Sequence, residues 1–262
     1  MRLLLPSWIC ALLIAVAALA TAEARAELTD EIQVYTDEIN QPGQFGLEMH
    51  VNTTPKGRRT PDYPGEVTPH RGWRYTPEFS WGLTRTLEAG LYLPFDRDES
   101  GKTESAGAKL RLKWLPVRPA EGQSGWFLGA NTELSRLKKK FSQSRSSLEL
   151  RLMGGWRDDD WLLALNPVFG WNLSDGLRSR TADFSLNAKA TRTVAKGFAV
   201  GLEYYSGLGT TEKILPYSQQ QNTLYVVFDA EVKGWDLNFG IGRGLTRGAD
   251  DLTLKAIIGV PF

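Results

Sequence analysis

The sequence predicts an all-β chain, folded as one antiparallel up-and-down barrel of about twelve strands behind a removable leader. Three observations predict it. Apolar and polar residues alternate with period two along most of the chain beyond residue 42, the connections between alternating stretches are brief and long by turns, and the tryptophans fall on the apolar parity near the stretch ends. Composition agrees: 42% hydrophobic residues, 23% charged residues and 26 Gly exclude a disordered tail and a collagen-like repeat. Lys plus Arg is 31 against 30 for Asp plus Glu, which leaves no positive field to hold a nucleic acid by counterion release.

Residues 1–26 read as a signal peptide of the Sec type. Arg2 supplies the positive start, residues 3–20 are apolar apart from Pro6 and Ser7, and two small-x-small sites follow, Ala20-Thr21-Ala22 and Ala24-Arg25-Ala26. Cleavage is expected after Ala26. A retained anchor needs ~20 apolar residues, whereas Glu23 and Arg25 interrupt this run early. Cys10 follows Ile9 rather than a small residue, so it is not read as a lipidation site, and the exported chain would carry no cysteine and equal numbers of acidic and basic residues. Residues 27–42, rich in Asp and Glu, are expected to form a periplasmic strap or partial plug, and residues 43–262 the barrel.

The first strand is expected over 45–52, where Phe45, Leu47, Met49 and Val51 alternate with Gly46, Glu48, His50 and Asn52. Trp73 to Leu83 and Leu87 to Phe95 supply the second and third. In the fourth, Ala106, Ala108, Leu110, Leu112 and Trp114 interleave with Gly107, Lys109, Arg111 and Lys113, a pattern no helix sorts onto two faces. Further strands centre on 126–134, 148–156, 161–173, 182–190, 198–204, 224–232, 235–241 and 252–262. Connections after the second, sixth, eighth and tenth are brief (84–86, 158–160, 193–196, 233–234), and those after the first, fifth and ninth are long (53–72, 136–146, 207–221). Brief turns at one rim and long loops at the other are a transmembrane-barrel habit. Residues 116–124 are longer than such a turn should be, and Pro77 and Pro167, which cannot donate to a ladder, are expected to mark bulges or strand ends.

Alternation alone leaves open which face meets solvent: a soluble periplasmic ligand-binding barrel turns its apolar face inward, a membrane barrel turns it to lipid. Trp73, Trp81, Trp114, Trp126, Trp156, Trp161, Trp171 and Trp235 decide for lipid. All lie on the apolar parity, six beside the short-turn rim and two beside the long-loop rim, outlining two interfacial girdles. The other parity carries Glu48, His50, Lys109, Arg111, Lys113, Arg151, Glu203, Asp229 and Glu231. Lys or Arg facing lipid at mid-membrane would cost roughly 2–4 kcal/mol each, so these are expected to line the lumen. The fourth and sixth strands make a basic wall and the ninth and tenth an acidic one, which would lay a transverse field across the bore. In a ring of ~12 Å backbone radius such side chains either line a pore or close it; both remain open.

No catalytic residue, metal site or cofactor is expected. The only histidines are His50 and His70, and neither local spacing gathers further ligands. A lipid-modifying enzyme in the same membrane would need His70 beside a serine on the lipid face. Gly240-Ile241-Gly242-Arg243-Gly244 has strand spacing and no following helix, so it is not a phosphate loop. The loop cations Lys56, Arg58, Arg59, Lys138, Lys139, Lys140 and Arg145 suit lipopolysaccharide phosphates.

The ending Gly259-Val260-Pro261-Phe262, with apolar residues at alternate positions back through Ile258, Ala256 and Leu254, resembles the carboxy-terminal assembly signal of Gram-negative outer-membrane β-barrels. The resemblance implies Phe262-dependent insertion by the barrel-assembly machinery, with outer-membrane lipids as surroundings. Residues 32–43, Ile-Gln-Val-Tyr-Thr-Asp-Glu-Ile-Asn-Gln-Pro-Gly, together with 44–52, resemble the start of barrels grouped as phenol-degradation (MetA) pathway transporters. That resemblance implies an outer-membrane channel for small solutes, including aromatic ones.

Overall fold

The computed structural model describes residues 30–120, 122–174 and 176–261; the leader, residues 27–29 and Phe262 lie outside the described residues. Fourteen strand segments follow one another: β1 (Phe45–Lys56), β2 (Trp73–Gly82), β3 (Leu87–Tyr92), β4 (Phe95–Arg97), β5 (Thr103–Ser105), β6 (Gly107–Val117), β7 (Gly125–Leu137), β8 (Ser146–Arg157), β9 (Trp161–Asn172), β10 (Asp183–Ala195), β11 (Phe198–Thr210), β12 (Gln221–Val232), β13 (Trp235–Gly244) and β14 (Leu252–Val260). β3 with β4, and β5 with β6, are halves of single staves, so the segments build a closed antiparallel barrel of 12 strands. β1 closes it by pairing with both β14 and β2. The ring thereby has no free edge strand along the main staves, which is what a closed sheet achieves.

The two split staves depart from the expected continuous strands, and the reason is local. Pro94 has no N–H, so the third stave lapses there; Leu93 N–H bonds Pro77 O at 3.1 Å and Ala106 N–H bonds Pro94 O at 2.7 Å. Gly107 then adopts φ 145°, at a point where a β-carbon would collide with Arg136 O. The bulge turns Ala106 away from the outer surface: it is fully buried against Leu137 and Phe141, not on the apolar face its parity predicts. Pro167 sits where the β8–β9 ladder skips from Val168 to Leu165, while its pairing to Leu186 on β10 continues. The long connection after β6 lies at the inner rim, the rim of short turns, and just before it the β6–β7 ladder shifts register between Trp114 and Val117.

Burial is sorted opposite to that of a water-soluble protein. On β6, Leu110, Leu112 and Trp114 are 58%, 48% and 53% exposed, while Lys109, Arg111 and Lys113 between them are each 6% exposed. Among the tryptophans, Trp73, Trp81, Trp114, Trp126, Trp161 and Trp235 are exposed, and Trp156 packs edge-on against Trp126 at 5.2 Å across the β7–β8 pair. Trp171 packs on Phe169 on the same outer face. At the inner rim the Trp156 indole donates to Asp158 at 3.1 Å, and the amides of Asp160 and Trp161 donate to the same carboxylate. These donors hold the Asp158 carboxyl below its usual range.

The apolar core is inside the barrel and is built around the amino-terminal segment. Residues 30–42 thread the lumen. Ile32 packs on Tyr225 and Val227, Val34 on Phe127 and Ala164, and Tyr35 on Leu115 and Met153.

Candidate functional site: the strapped lumen

The strap enters at the inner rim, where Gly43 N–H bonds Gly82 O at 2.7 Å and Gly82 N–H bonds Gln44 O at 3.0 Å. Gly82 is required here, since a β-carbon would collide with Gln41 O. From this anchor the strap climbs inside the wall until Asp30 reaches the level of Asn52, near the outer end of β1.

An extended segment inside a barrel has no ladder for its N–H and C=O groups, so side chains must supply one. The wall does so from most of its circumference. Asn52 donates to Asp30 O at 3.1 Å, Lys255 to Ile32 O at 3.0 Å and Arg151 to Gln33 O at 3.0 Å. Asn166 accepts from Tyr35 N–H at 2.7 Å and donates to Tyr35 O at 3.1 Å. Glu88 accepts from Asn40 N–H at 2.7 Å. Charge pairs add to this: Asp30 with Lys109 at 2.8 Å, Glu31 with Arg151 at 3.8 Å and Asp37 with Arg157 at 2.6 Å. With Glu38, which lies 3.6 Å from Arg157, four of the strap's acidic side chains thus meet wall cations, which accounts for the acidic composition of this stretch.

Tyr35 is the hub. Its hydroxyl lies 2.6 Å from that of Tyr92, and its ring is overlaid by Arg151 at 4.5 Å, Lys113 at 5.0 Å and Arg111 at 5.8 Å. The basic wall therefore stacks on an aromatic ring brought in by the strap. The remaining charges pair with neighbours around the ring. Arg111 bonds Glu78 at 2.8 Å and also Glu88; Glu203 pairs with Lys255 and, at 3.3 Å, with Lys189, which reaches Asp229 at 2.8 Å. Glu149 takes Arg151 at 2.9 Å. Glu231 lies lower, on the wall of a water-accessible cavity of about 1430 Å³ between the strap and the inner rim.

Sequence reasoning did not find Leu115, Phe127, Met153, Tyr225 and Val227 as lumen residues, although their parity with Lys113, Asn131, Arg151 and Asp229 carries the signal. It also missed that Glu78, one strand over, comes within 3.0 Å of His50 Nε2 and stands directly opposite Glu48. Glu48, His50 and Glu78 place one ligand atom each within 4.8 Å of one another.

The outer mouth is crossed by residues 57–72. Arg58 N–H bonds Asp250 at 2.8 Å on one side of the ring, and Val67 N–H bonds Lys140 O at 2.8 Å on the side diametrically opposite. Between these points Arg58 is clamped by Glu66 at 2.8 Å and Asp62 at 3.2 Å, and Val67 seats on Ala106, Leu137 and Phe141. His70 is buried in this loop, and its Nδ1 accepts from Gly57 N–H at 3.3 Å. It does not stand on the lipid-facing surface.

Solved structures share this architecture. The chain is similar to an outer-membrane channel from Pseudomonas putida F1, with 14% identity over 88% of this chain and 100% of that one at a TM-score of 0.58. It is also similar to the porin KdgM, with 10% identity over 83% of this chain and 99% of that one at a TM-score of 0.54. KdgM is also known in complex with disordered oligogalacturonate, and that structure superposes with a TM-score of 0.52, 12% identity, 84% of this chain and 99% of that one. At such identities the likeness is one of fold. No protein-family model matches the chain, and no curated protein does.

Proposed function

We propose that this chain is a channel of the Gram-negative outer membrane that passes small solutes and is held shut by its own amino-terminal strap. The observation that carries the reading is how the lumen is filled. The bore is crossed by a single segment held through side-chain contacts and reachable from the inner cavity, so that it can leave without unpicking the wall. The channel and porin folds it shares support the same reading.

In this account the inner rim is periplasmic and the loop 57–72 faces outward. Residues 1–26 are the export signal, Phe262 addresses the chain to the barrel-assembly machinery, and Lys138, Lys139 and Lys140 meet lipopolysaccharide phosphates. Solute passage requires the strap to withdraw. Its departure vacates the seat of the Tyr35 phenol, which is lined by Tyr92, Leu115 and Met153 and faced by Lys113 and Arg151. That seat suits an aromatic solute bearing an oxygen or carboxylate.

The test is single-channel recording in planar bilayers. The full mature chain is expected to be mostly closed, and a variant lacking residues 30–41 to conduct persistently and to be blocked by benzoate at concentrations where acetate has no effect. A deleted variant that folds and stays silent would overturn the gating; equal block by the two anions would overturn the aromatic seat.

A further inference from the structure

We infer that Glu48, His50 and Glu78 form a binding site for one divalent transition metal ion of the zinc type, on the lumen wall beside the inner cavity. The inference is independent of strap gating and rests on the β1–β2 pair.

Register creates the site. Glu48 and His50 are two residues apart on β1 and share its lumen face, while β2 sets Glu78 directly opposite Glu48. Two carboxylates in direct opposition across an antiparallel pair repel each other, and positive charge between them relieves the repulsion. Arg111 supplies part of it, and does so on one oxygen: it bonds Glu78 Oε1 at 2.8 Å. Glu78 Oε2 is left facing His50 Nε2 at 3.0 Å, and Glu48 Oε2 lies 3.8 Å from the same nitrogen. Among the described residues none donates a hydrogen bond to the Glu48 carboxylate, although it stands on the wall of the cavity.

Ligand atoms about 2.1 Å from a common tetrahedral metal stand roughly 3.4 Å apart. The two distances from Nε2 bracket that value, and the oxygens of Glu48 and Glu78, within 4.8 Å of each other, close onto a common ion by rotation of the partly exposed Glu48 side chain. One imidazole with two carboxylates suits zinc, nickel or copper, whereas calcium and magnesium ask for six or more oxygens, several of them water. Two carboxylates balance the ion's charge. Arg111 then acts as the outer partner that orients Glu78, and the fourth position opens to the cavity, through which the ion arrives.

The test uses the full mature chain, without an affinity tag, refolded in detergent and titrated with Co²⁺ followed by its visible d–d absorption, and with Zn²⁺ by calorimetry. One ion per barrel is expected, Zn²⁺ displacing Co²⁺. Glu48→Gln and His50→Gln should each weaken binding at least tenfold, and His70→Gln should leave it unchanged. Boiling-dependent gel mobility reports that each variant is folded; Glu48 is partly exposed, so Glu48→Gln keeps the test decisive if His50→Gln does not fold. No stoichiometric uptake by the folded wild type, or uptake kept by Glu48→Gln and lost by His70→Gln, would overturn the site.

Discussion

Asn166 grips Tyr35 at both ends of its backbone, accepting from its N–H at 2.7 Å and donating to its C=O at 3.1 Å, as a neighbouring strand would. Asn166 is fully buried and lies mid-strand on β9, so this pair pins the strap midway along the barrel wall. Replacing it with Ala leaves a buried amide without a partner, at a cost of about 2 kcal/mol. The fraction of time spent open in bilayer recordings of Asn166→Ala is expected to rise about thirty-fold; an unchanged open fraction would show that the strap's hold lies elsewhere.

The outer face of β6 tests the sorting of the wall. Leu112 is exposed on the outer face between Arg111 and Lys113, which face inward. Leu112→Arg should lower the unfolding free energy in lipid vesicles by about 2–4 kcal/mol, measured by urea titration. A loss below about 0.5 kcal/mol, the range of an ordinary surface substitution, would place Leu112 outside the membrane.

Asp158 ties the inner girdle to its turn through the Trp156 indole and two backbone amides. Its carboxyl titrates lower in the folded barrel than in the unfolded chain. The stabilisation is therefore present above the unfolded pKa and is lost as pH falls through the folded one. Asp158→Ala is expected to lower the heat-modification midpoint at pH 7, with the difference from wild type vanishing in strong acid. A difference independent of pH would assign the effect to packing.

At the outer mouth Glu66 holds Arg58 through two contacts, at 2.9 and 2.8 Å. Glu66→Ala should release the span between Asp250 and Lys140, and trypsin cleavage at Arg58 or Arg59 on intact cells should accelerate about tenfold, the equivalent of the ~1.5 kcal/mol of a charged hydrogen bond. Unchanged cleavage would mean that the span is held without Glu66, by Asp250, Asp62 and the seat of Val67.

Much of the wall was legible in the chain. Strict alternation from Lys109 to Trp114 on β6 told inside from outside residue by residue, because period two leaves no other arrangement. The acidic stretch 27–42 is read as a strap or plug because it lacks alternation and precedes the first strand; of it, residues 30–42 are described and lie against the lumen wall. The break at Pro94 and Gly107 was not, since a proline between two apolar residues reads equally well as a strand edge. Nor were the charge partners. Arg111 meets Glu78 and Glu88, and Glu203 meets Lys189 and Lys255, through the register and shear of the whole ring, which local sequence does not encode. Reading inward positions as polar also hid Phe127 and Met153, whose apolar side chains make sense only once Val34 and Tyr35 lie against them.

The most direct test of the strap as gate uses the absence of cysteine after residue 10. Val34 and Ala164 pack together in the lumen, so Val34→Cys with Ala164→Cys allows the strap to be tied to β9 by a disulfide. Single-channel recording of the folded double variant should find no openings when oxidised and openings restored by a thiol reductant. Equal current before and after reduction, with the disulfide confirmed by mass, would contradict the account.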